Sequence, residues 1–276
     1  MAEKKRKLFC EISPLTYEIS MKKEIIKRHI KNLTSKEKIA REHSNNRLPY
    51  VVSSNSSQLI KKGKGIDPVL QYNKADNIAL ANAKISGILI KPGETFSLWQ
   101  TVGKPTRRKG YKDGRVIEGN HLVAGLGGGL CNLGNTIHLL VLDTPMDVTE
   151  FHKHSDALAP DHGHRVPLGA GTSVCYNMLD FCCKNNTDQT FQILLWCESE
   201  VFYGEMRTDK ELPYTYRITE DDHHFHKEGD KYYRISKIYR ETLDKKTGEI
   251  VERKLIWDNH SEVLFDYSQI PQDQIR

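Results

Sequence analysis

A cysteine that follows a run of glycines is the clearest candidate for chemistry in this chain. Cys131 comes just after Gly127–Gly129, and we predict a helix from Cys131 to about Asp143, ended by Pro145. The first amides of a helix have no partner within it, and the helix dipole adds positive potential there. Both effects favour the thiolate, which is the nucleophilic form of cysteine. The alternative is a tight turn beside a small buried cysteine.

A cysteine nucleophile also needs a base within hydrogen-bond reach and a third group that orients the base. His138 lies seven residues after Cys131, and a separation of roughly 10 Å along the helix axis excludes direct contact. His152 and His154 follow the helix at the end of a predicted strand, and Asp180 lies near the start of a later strand. Our hypothesis takes His154 as the base and Asp180 as the orienting group, in the chain order of papain-like and transglutaminase-like thiol enzymes.

Metal binding is a competing interpretation of the histidines. Six candidate ligands lie close together in the sequence: His152, His154, Asp156, Asp161, His162 and His164. They could hold an ion together with Cys131. No established ligand spacing such as H-E-x-x-H occurs, so thiol chemistry ranks higher and we predict no metal or other cofactor. The sequence does not decide whether His152, His154 or His164 would face the cysteine.

The residues around Cys131 are candidates for binding a substrate. They are Gly127, Gly128, Gly129, Asn132, Asn135 and Tyr111. Asn135 and His138 share a polar stripe of the predicted helix with Cys131. Leu133 and Ile137 mark the side that we expect to face the core. Phosphate binding by the glycines is a weaker interpretation, because no Lys-Ser or Lys-Thr pair follows them.

Three parts of different composition are predicted to position these residues. They are a basic helical leader (1–47), a core domain (48–207) and a β-rich appendage (208–276). In the core, Asn73 is expected to cap a helix over Lys74–Ser86, and a hairpin that turns at Gly119-Asn120 leads into the glycine run. The predicted fold class is α+β, with an antiparallel or mixed sheet packed against the helix led by Cys131.

The composition is that of an ordinary globular protein of 276 residues, with 38% hydrophobic and 28% charged residues. No run of about 18 apolar residues occurs, which excludes a membrane-spanning helix. No apolar segment follows the charged N-terminus, as a secretory signal requires. The six cysteines form no C-x-x-C pair and no disulfide framework. We therefore expect reduced thiols and a cytoplasmic location.

The net charge of +5 is confined to the leader. Residues 1–33 contain nine Lys or Arg and four Asp or Glu, and the rest of the chain is balanced. Apolar side chains recur there at helical spacing: Tyr17, Met21, Ile25, Ile26, Ile30 and Leu33. Such a helix can lie on the anionic inner face of a membrane, although we favour a helix docked on the core with one solvated face. No motif that reads nucleic acid is present, so we expect no nucleic-acid partner.

Several motifs occur in a distinctive order: Ile90–Trp99, Gly110–Gly114, Gly127–Cys131, Leu179–Phe181 and Asn185–Thr187. Together they resemble the VanW family over roughly Leu48 to Glu205. The motif positions that carry over are Pro92, Gly93, Phe96, Tyr111, Gly127, Gly128, Gly129, Cys131 and Asp180. His154-Ser155 resembles the family's His-Ser step, and Asn132 stands where the family usually has Gln. The resemblance implies a setting in glycopeptide resistance and the cell envelope, without supplying a reaction.

Two functions are therefore predicted. The first is a cysteine-dependent hydrolase or acyl transferase acting on a peptide-like cell-wall precursor, with helix-start amides stabilising the oxyanion. The second is a non-catalytic accessory module that binds a peptidoglycan-like ligand or a partner protein. A Cys131 sulfur within about 4 Å of a histidine nitrogen, in an open cleft, favours the enzyme. A Cys131 covered by apolar side chains favours the module.

Overall fold

The structure begins with a long helix that belongs to the predicted leader. The computed structural model describes residues 8–63, 66–118, 121–152, 156–157 and 172–276. Helix α1 covers Pro14–Thr34. Ser13 caps it by accepting a hydrogen bond from the Thr16 amide, and Pro14 occupies the first helical position, where a backbone N–H would have no helical partner.

After α1 the chain alternates short strands and helices, and then it forms longer strands toward its C-terminal end. In chain order the elements are β1 (Lys38–Ile39), β2 (Tyr50–Gln58), α2 (Pro68–Ile85), β3 (Ile88–Ile90), β4 (Glu94–Ser97), α3 (Leu98–Val102), β5 (Asp113–Glu118), β6 (His121–Leu126), α4 (Leu130–Leu142), β7 (Asp147–Glu150), β8 (Asp156–Ala157), β9 (Cys182–Lys184), β10 (Phe191–Glu198), β11 (Val201–Thr208), β12 (Tyr214–Glu228), β13 (Lys231–Asp244) and β14 (Ile250–Val263).

Two sheets carry the core. The first has the strand order β2-β11-β10-β3 and is antiparallel throughout. The second has the order β1-β4-β9-β7, in which β1 pairs parallel with β4 and the other pairs are antiparallel. Strand β10 is central to the first sheet, and Phe191, Ile193 and Leu195 are buried along it, as its apolar run predicts. Sheets of this kind with packed helices confirm the α+β fold class.

Helix α4 packs against β2, β11 and α2 and lies at the centre of the core. Leu133 and Ile137 are fully buried there, on the side that the sequence predicts. The helix begins at Leu130, one residue before the predicted start, and Gly129 is its N-cap, with a φ of 102°. Cys131 is therefore the second helical residue, so the prediction that it leads the helix is wrong by one position.

The C-terminal strands form a separate sheet with the order β12-β13-β14-β8. Its long antiparallel ladders extend beyond the strands predicted at Lys231–Arg240 and Ile250–Ile256. A small apolar cluster of Leu142, Ile238 and Trp257 joins this sheet to the end of α4. The sheet therefore packs directly on the helix that carries Cys131.

One further predicted boundary, the start of α2, differs from the structure. Helix α2 begins at Pro68 with Asp67 as its cap, six residues before the predicted start. Asn73 lies within this helix and donates to the Asp113 carbonyl instead of capping. The predicted turn at Gly119-Asn120 lies outside the described residues, although its flanking strands β5 and β6 do pair. Within the described ranges, no helix combines the length and apolarity needed to cross a membrane.

Candidate functional site

The glycine run packs tightly against the hairpin and α2. A Cβ atom on Gly128 would lie only 2.2 Å from the Gly114 carbonyl carbon. Asn77, fully buried in α2, donates to the carbonyls of Gly128 at 3.0 Å and Lys112 at 2.9 Å. These contacts show that Gly128 lets two backbone segments meet, whereas the sequence suggested that the glycines leave room for a substrate. The sequence analysis missed Asn77, because its partners lie in another part of the chain.

Cys131 is half-buried in the first turn of α4. Its Sγ donates to the Val174 carbonyl oxygen, 3.6 Å away. Burial raises the pKa of this thiol above its ordinary value, which is opposite to the direction predicted from the helix start. Burial and the nearby Cys131 also raise the pKa of Cys175. Both thiols are free, and their environment favours the protonated form.

The two asparagines predicted to bind substrate are bonded to the protein itself. Asn132 Oδ1 accepts a hydrogen bond from Ser57 Oγ on β2 at 3.0 Å. Asn135 Oδ1 accepts a short hydrogen bond from the Thr172 amide. Tyr111 is buried, and burial raises the pKa of its phenol. The two asparagines tie α4 to its surroundings, and the role of all three residues in binding stays a prediction.

The histidines take different positions. His154, the predicted base, lies outside the described residues, as do His162 and His164. His152 Nε2 lies 3.0 Å from Glu150 Oε1. Among the residues that are described, no group of three or more His, Cys, Asp or Glu side chains converges on a possible metal position.

His138, the third member of the polar stripe, is buried among aromatic rings. The centroid of its ring lies 5.3 Å from those of Phe151 and Phe181. Its Nε2 atom has no hydrogen-bond partner within the described part of the chain. Burial lowers the pKa of His138 to about 4, because the charged imidazole would lose its hydration there. His138 is therefore a neutral core residue and not part of a proton relay.

Asp180 is the most heavily bonded of the predicted site residues. Its Oδ2 accepts from Ser97 Oγ at 2.6 Å and from Arg28 Nη2 at 3.0 Å. Its Oδ1 accepts from the amides of Trp99 at 3.1 Å and Phe181 at 2.8 Å. Burial raises the pKa of this carboxyl group, and the surrounding donors act against that rise by stabilising the ionised form.

Arg28 connects Asp180 to a second carboxylate, Glu150. Its Nη1 donates to Glu150 Oε1 at 2.6 Å, and its side chain is only 10% exposed. Burial disfavours the charged form of Glu150, yet Arg28 and His152 together hold its pKa below the ordinary value. The sequence analysis missed Arg28 and Glu150. The sequence signal that could have identified Arg28 is its helical spacing from Ile25, which places this charged residue on the side of α1 that meets the core.

The predicted site residues fall into two groups in the structure, one around Cys131 and one around Asp180, and each group is bonded to His152. A segment at Thr172–Cys175 contacts both Cys131 and Asn135 on α4, and it also bonds to the backbone of His152. Asp180 is linked to His152 through Glu150, whose Oε1 accepts from the Asp180 amide at 3.3 Å. Within the described residues, no hydrogen bond joins Cys131 to a histidine.

Comparison with known proteins relates this arrangement to a family. Residues 73–207 match the family model described as VanW like protein. The chain is 29% identical over 218 residues to the vancomycin B-type resistance protein VanW of Enterococcus faecalis, covering 79% of each chain. Residues 73–207 are therefore a VanW-like region of this chain. The resemblance inferred from the motifs is confirmed.

A second relative covers less of the chain. It is the uncharacterized protein YoaR of Bacillus subtilis, 31% identical over 121 residues, which are 44% of this chain and 38% of that protein. No solved structure matches the chain significantly. The VanW-like range includes the glycine run, Cys131 and Asp180, whereas α1 and the strands β12–β14 lie outside it.

Proposed function

We propose that this protein shares the glycopeptide-resistance setting of its Enterococcus relative and acts there as a non-catalytic accessory module that binds a peptidoglycan-like ligand. The VanW-like region supports the setting in resistance and the cell envelope. The bonding of Asp180 supports the non-catalytic role and is the observation on which this proposal depends.

An orienting carboxylate must have an oxygen available for the catalytic histidine. Both Asp180 oxygens already accept two hydrogen bonds each, from Ser97 and Arg28 and from two backbone amides. The carboxylate therefore fastens α1 and the start of α3 to the core. Cys131 supports the same conclusion, because burial raises the pKa of its thiol and its Sγ donates to the Val174 carbonyl.

A cysteine hydrolase or acyl transferase is the second candidate, favoured by the half-buried position of Cys131 in the first turn of α4. In that reaction Cys131 gives its proton to His154, and Sγ attacks the carbonyl carbon of a peptide-like precursor. The leaving group departs with the proton from His154. Water or an acceptor amine then attacks the thioester, gives up a proton to His154 and restores the Cys131 thiol.

Thiol labelling distinguishes the two functions. We expect iodoacetamide to label Cys131 no faster than Cys10 from about pH 5 to about pH 9, because a protonated thiol is a poor nucleophile. Mass spectrometry of each peptide measures the rates, and His154→Ala should leave them unchanged. Labelling of Cys131 with an apparent pKa well below that of a free thiol, lost in His154→Ala, would establish the enzyme instead.

Ligand binding supplies the positive test of the module. An N-acetylated alanine dipeptide with a free carboxylate serves as the probe, and calorimetry measures its affinity. Wild type and Cys131→Ala are expected to bind it equally and to release no product. Binding that depends on Cys131, or hydrolysis by the wild type alone, contradicts the module.

A further inference from the structure

A buried lysine without an anionic partner lies at the start of α4. Lys74, on α2, is only 9% exposed. A Cβ atom on Gly129 would lie 2.4 Å from Lys74 Cγ, so the lysine side chain passes directly over the residue that caps α4. Within the described residues, no hydrogen bond or ion pair reaches its amino group.

The surroundings of Lys74 are positively charged. Burial and the neighbouring charges of Lys61 and Arg115 lower the pKa of Lys74 to about 8. Two nearby acidic residues are already paired with other cations. Asp76 lies 2.7 Å from Lys112, and Asp113 lies 2.7 Å from Arg107. No carboxylate within the described residues therefore neutralises the three cations.

The end of α4 adds to this potential. The helix has 13 residues, and its Leu130 and Asn132 amides donate to the carbonyls of Gly127 and Gly129. Within the described residues, no carbonyl outside the helix accepts from the Cys131 amide. The dipole of such a helix favours an anion at this end. The positive charges of Lys61, Lys74 and Arg115 repel one another, so an external anion would relieve an electrostatic cost here. The sequence contains no lysine just after the glycine run, but the fold brings one to it from α2.

We propose that Lys74, together with Lys61 and Arg115, binds an anionic group of the ligand, a carboxylate or a phosphate, at the N-terminal end of α4. This inference rests on the proposed binding function and names the ligand chemistry of that site. It places the negatively charged end of the ligand beside the glycine run.

Calorimetry with two probes tests the site. The probes are sodium pyrophosphate and the N-acetylated alanine dipeptide, whose C-terminal amide serves as the uncharged comparison. Lys74→Met keeps the aliphatic stem that packs on Gly129 and removes the charge, and we expect it to weaken binding of the charged probe at least about tenfold. Lys84→Met, an exposed lysine on the same helix, should change the affinity by less than about twofold. Arg115→Gln provides a second variant that should weaken binding.

The outcomes separate this inference from the proposed function. Wild type that binds pyrophosphate but not the dipeptide, with loss in Lys74→Met, supports the anion site and contradicts a peptide-like ligand. Dipeptide binding that survives in Lys74→Met and Arg115→Gln overturns the anion site and leaves the module in place. Binding of neither charged probe by the wild type overturns the anion site. Lys74→Met should also melt at a higher temperature than wild type, because it removes a buried repulsion.

A second inference concerns α1 and depends on different observations. One side of this helix is fixed to the core by Arg28 and by Asn177, which donates to the Ile25 carbonyl. Another side carries a stripe of exposed apolar residues, which we call the leader face: Leu15, Ile19, Ile26, Ile30 and Leu33. Leu33 is 85% exposed. Isolated exposed apolar residues are ordinary, but five on one side of a helix indicate a binding surface.

The charges beside the leader face identify its partner. Lys22 and Lys23 lie between Ile19 and Ile26 on α1, and Lys27 and Lys31 follow. Three of these exposed lysines form ion pairs, Lys22 with Glu18, Lys27 with Glu24 and Lys31 with Glu150. Solvent screens such pairs, and α1 stays net positive, with five Lys or Arg against two Glu. Apolar side chains flanked by lysines are the pattern of helices that lie in the surface of an anionic bilayer. We propose that the leader face binds an anionic phospholipid surface, while Arg28 keeps α1 attached to the core.

Vesicle sedimentation tests this surface in the full chain. We expect binding to phosphatidylglycerol vesicles, little binding to phosphatidylcholine vesicles, and a decrease at high salt. The double variant Ile26→Ser with Leu33→Ser should weaken binding at least about tenfold. The matched control is Ile250→Ser with Leu255→Ser, two exposed apolar residues of β14, which should bind as wild type does. Equal binding by both double variants, or dimerisation through the leader face without vesicle binding, overturns the inference.

Discussion

An ion-pair network in the core and an ion pair at the edge of the C-terminal sheet differ in how far they are exposed to solvent. In the core, Arg28 lies between Glu150 and Asp180, and the side chains of Arg28 and Asp180 are 10% and 1% exposed. In the C-terminal sheet, Arg276 and Asp222 form a pair whose side chains are 64% and 48% exposed. Buried pairs fix geometry because breaking them leaves an uncompensated charge, whereas exposed pairs contribute little. The Arg28 network is therefore expected to determine how α1 is held on the core, whereas the Arg276–Asp222 pair is not expected to hold any element in place.

The same contrast holds for glycines. Gly128 has a neighbouring backbone where a side chain would be, and Gly229 in the β12–β13 turn has nothing within 4 Å of that position. Gly128 is needed for space, and Gly229 is needed only for its φ of +61°. Tight packing around the candidate site and open turns in the C-terminal sheet indicate that the two regions differ in their tolerance of substitution.

Replacing Arg28 is expected to give the largest effect. Arg28→Met leaves Glu150 and Asp180 buried without their cation, so the free energy of unfolding should fall by about 3–5 kcal/mol. Arg276→Met in the C-terminal sheet should change it by no more than about 1 kcal/mol, since solvent already screens that pair. Urea denaturation of both variants measures the two values. Equal losses would show that the two regions do not differ in this respect.

Crowding at Gly128 should give the next largest effect. Gly128→Ala places a Cβ against the Gly114 backbone, and since neither backbone can move freely we expect a loss of about 3 kcal/mol in the free energy of unfolding. Gly229→Ala has open space for its Cβ atom, so its left-handed backbone should lower the free energy of unfolding by only about 1 kcal/mol. Thermal and urea unfolding of the matched pair test this order, and a larger loss for Gly229→Ala would contradict it.

Local patterns in the sequence predicted much of the fold. The apolar spacing of Leu133 and Ile137 located the buried side of α4, and the run from Phe191 located the central strand β10. The start of α2 was placed too late, because Asn73 resembles a cap while the real cap is Asp67. In that case Asn73 bonds to a distant strand, and such a partner is invisible to local patterns.

The candidate site was harder to predict, because its partners are distant in the chain. Asp180 was identified as important, but the partner that most constrains it, Arg28, lies 152 residues earlier. The role of Cys131 was inferred from its place at a helix start. Burial acts in the opposite direction on its pKa, and burial follows from packing that the sequence does not show. Lys74 was treated only as the start of a helix, although the fold places it over Gly129.

Replacing His138 is expected to change the free energy of unfolding least at neutral pH. In acid, the same replacement should change how that free energy depends on pH. Its folded pKa of about 4 lies below the ordinary value of 6.5, so between these values the unfolded chain takes up a proton that the folded core does not. The associated stability is complete above about pH 6.5 and is lost as pH falls toward about 4, to a total on the order of 3 kcal/mol.

His138→Leu should remove this acid-dependent loss, because leucine has no proton to gain in the unfolded chain. Urea denaturation at about pH 7 and about pH 4.5 measures the change within each protein, and the wild type should lose more stability than His138→Leu between these conditions. His260→Leu, at an exposed position of the C-terminal sheet, should retain the loss that His138 causes. If the free energy of unfolding of His138→Leu falls in acid as much as that of the wild type, the imidazole is not held neutral among Phe151 and Phe181. The proposed difference between the buried His138 of the core and the exposed His260 of the C-terminal sheet would then fail.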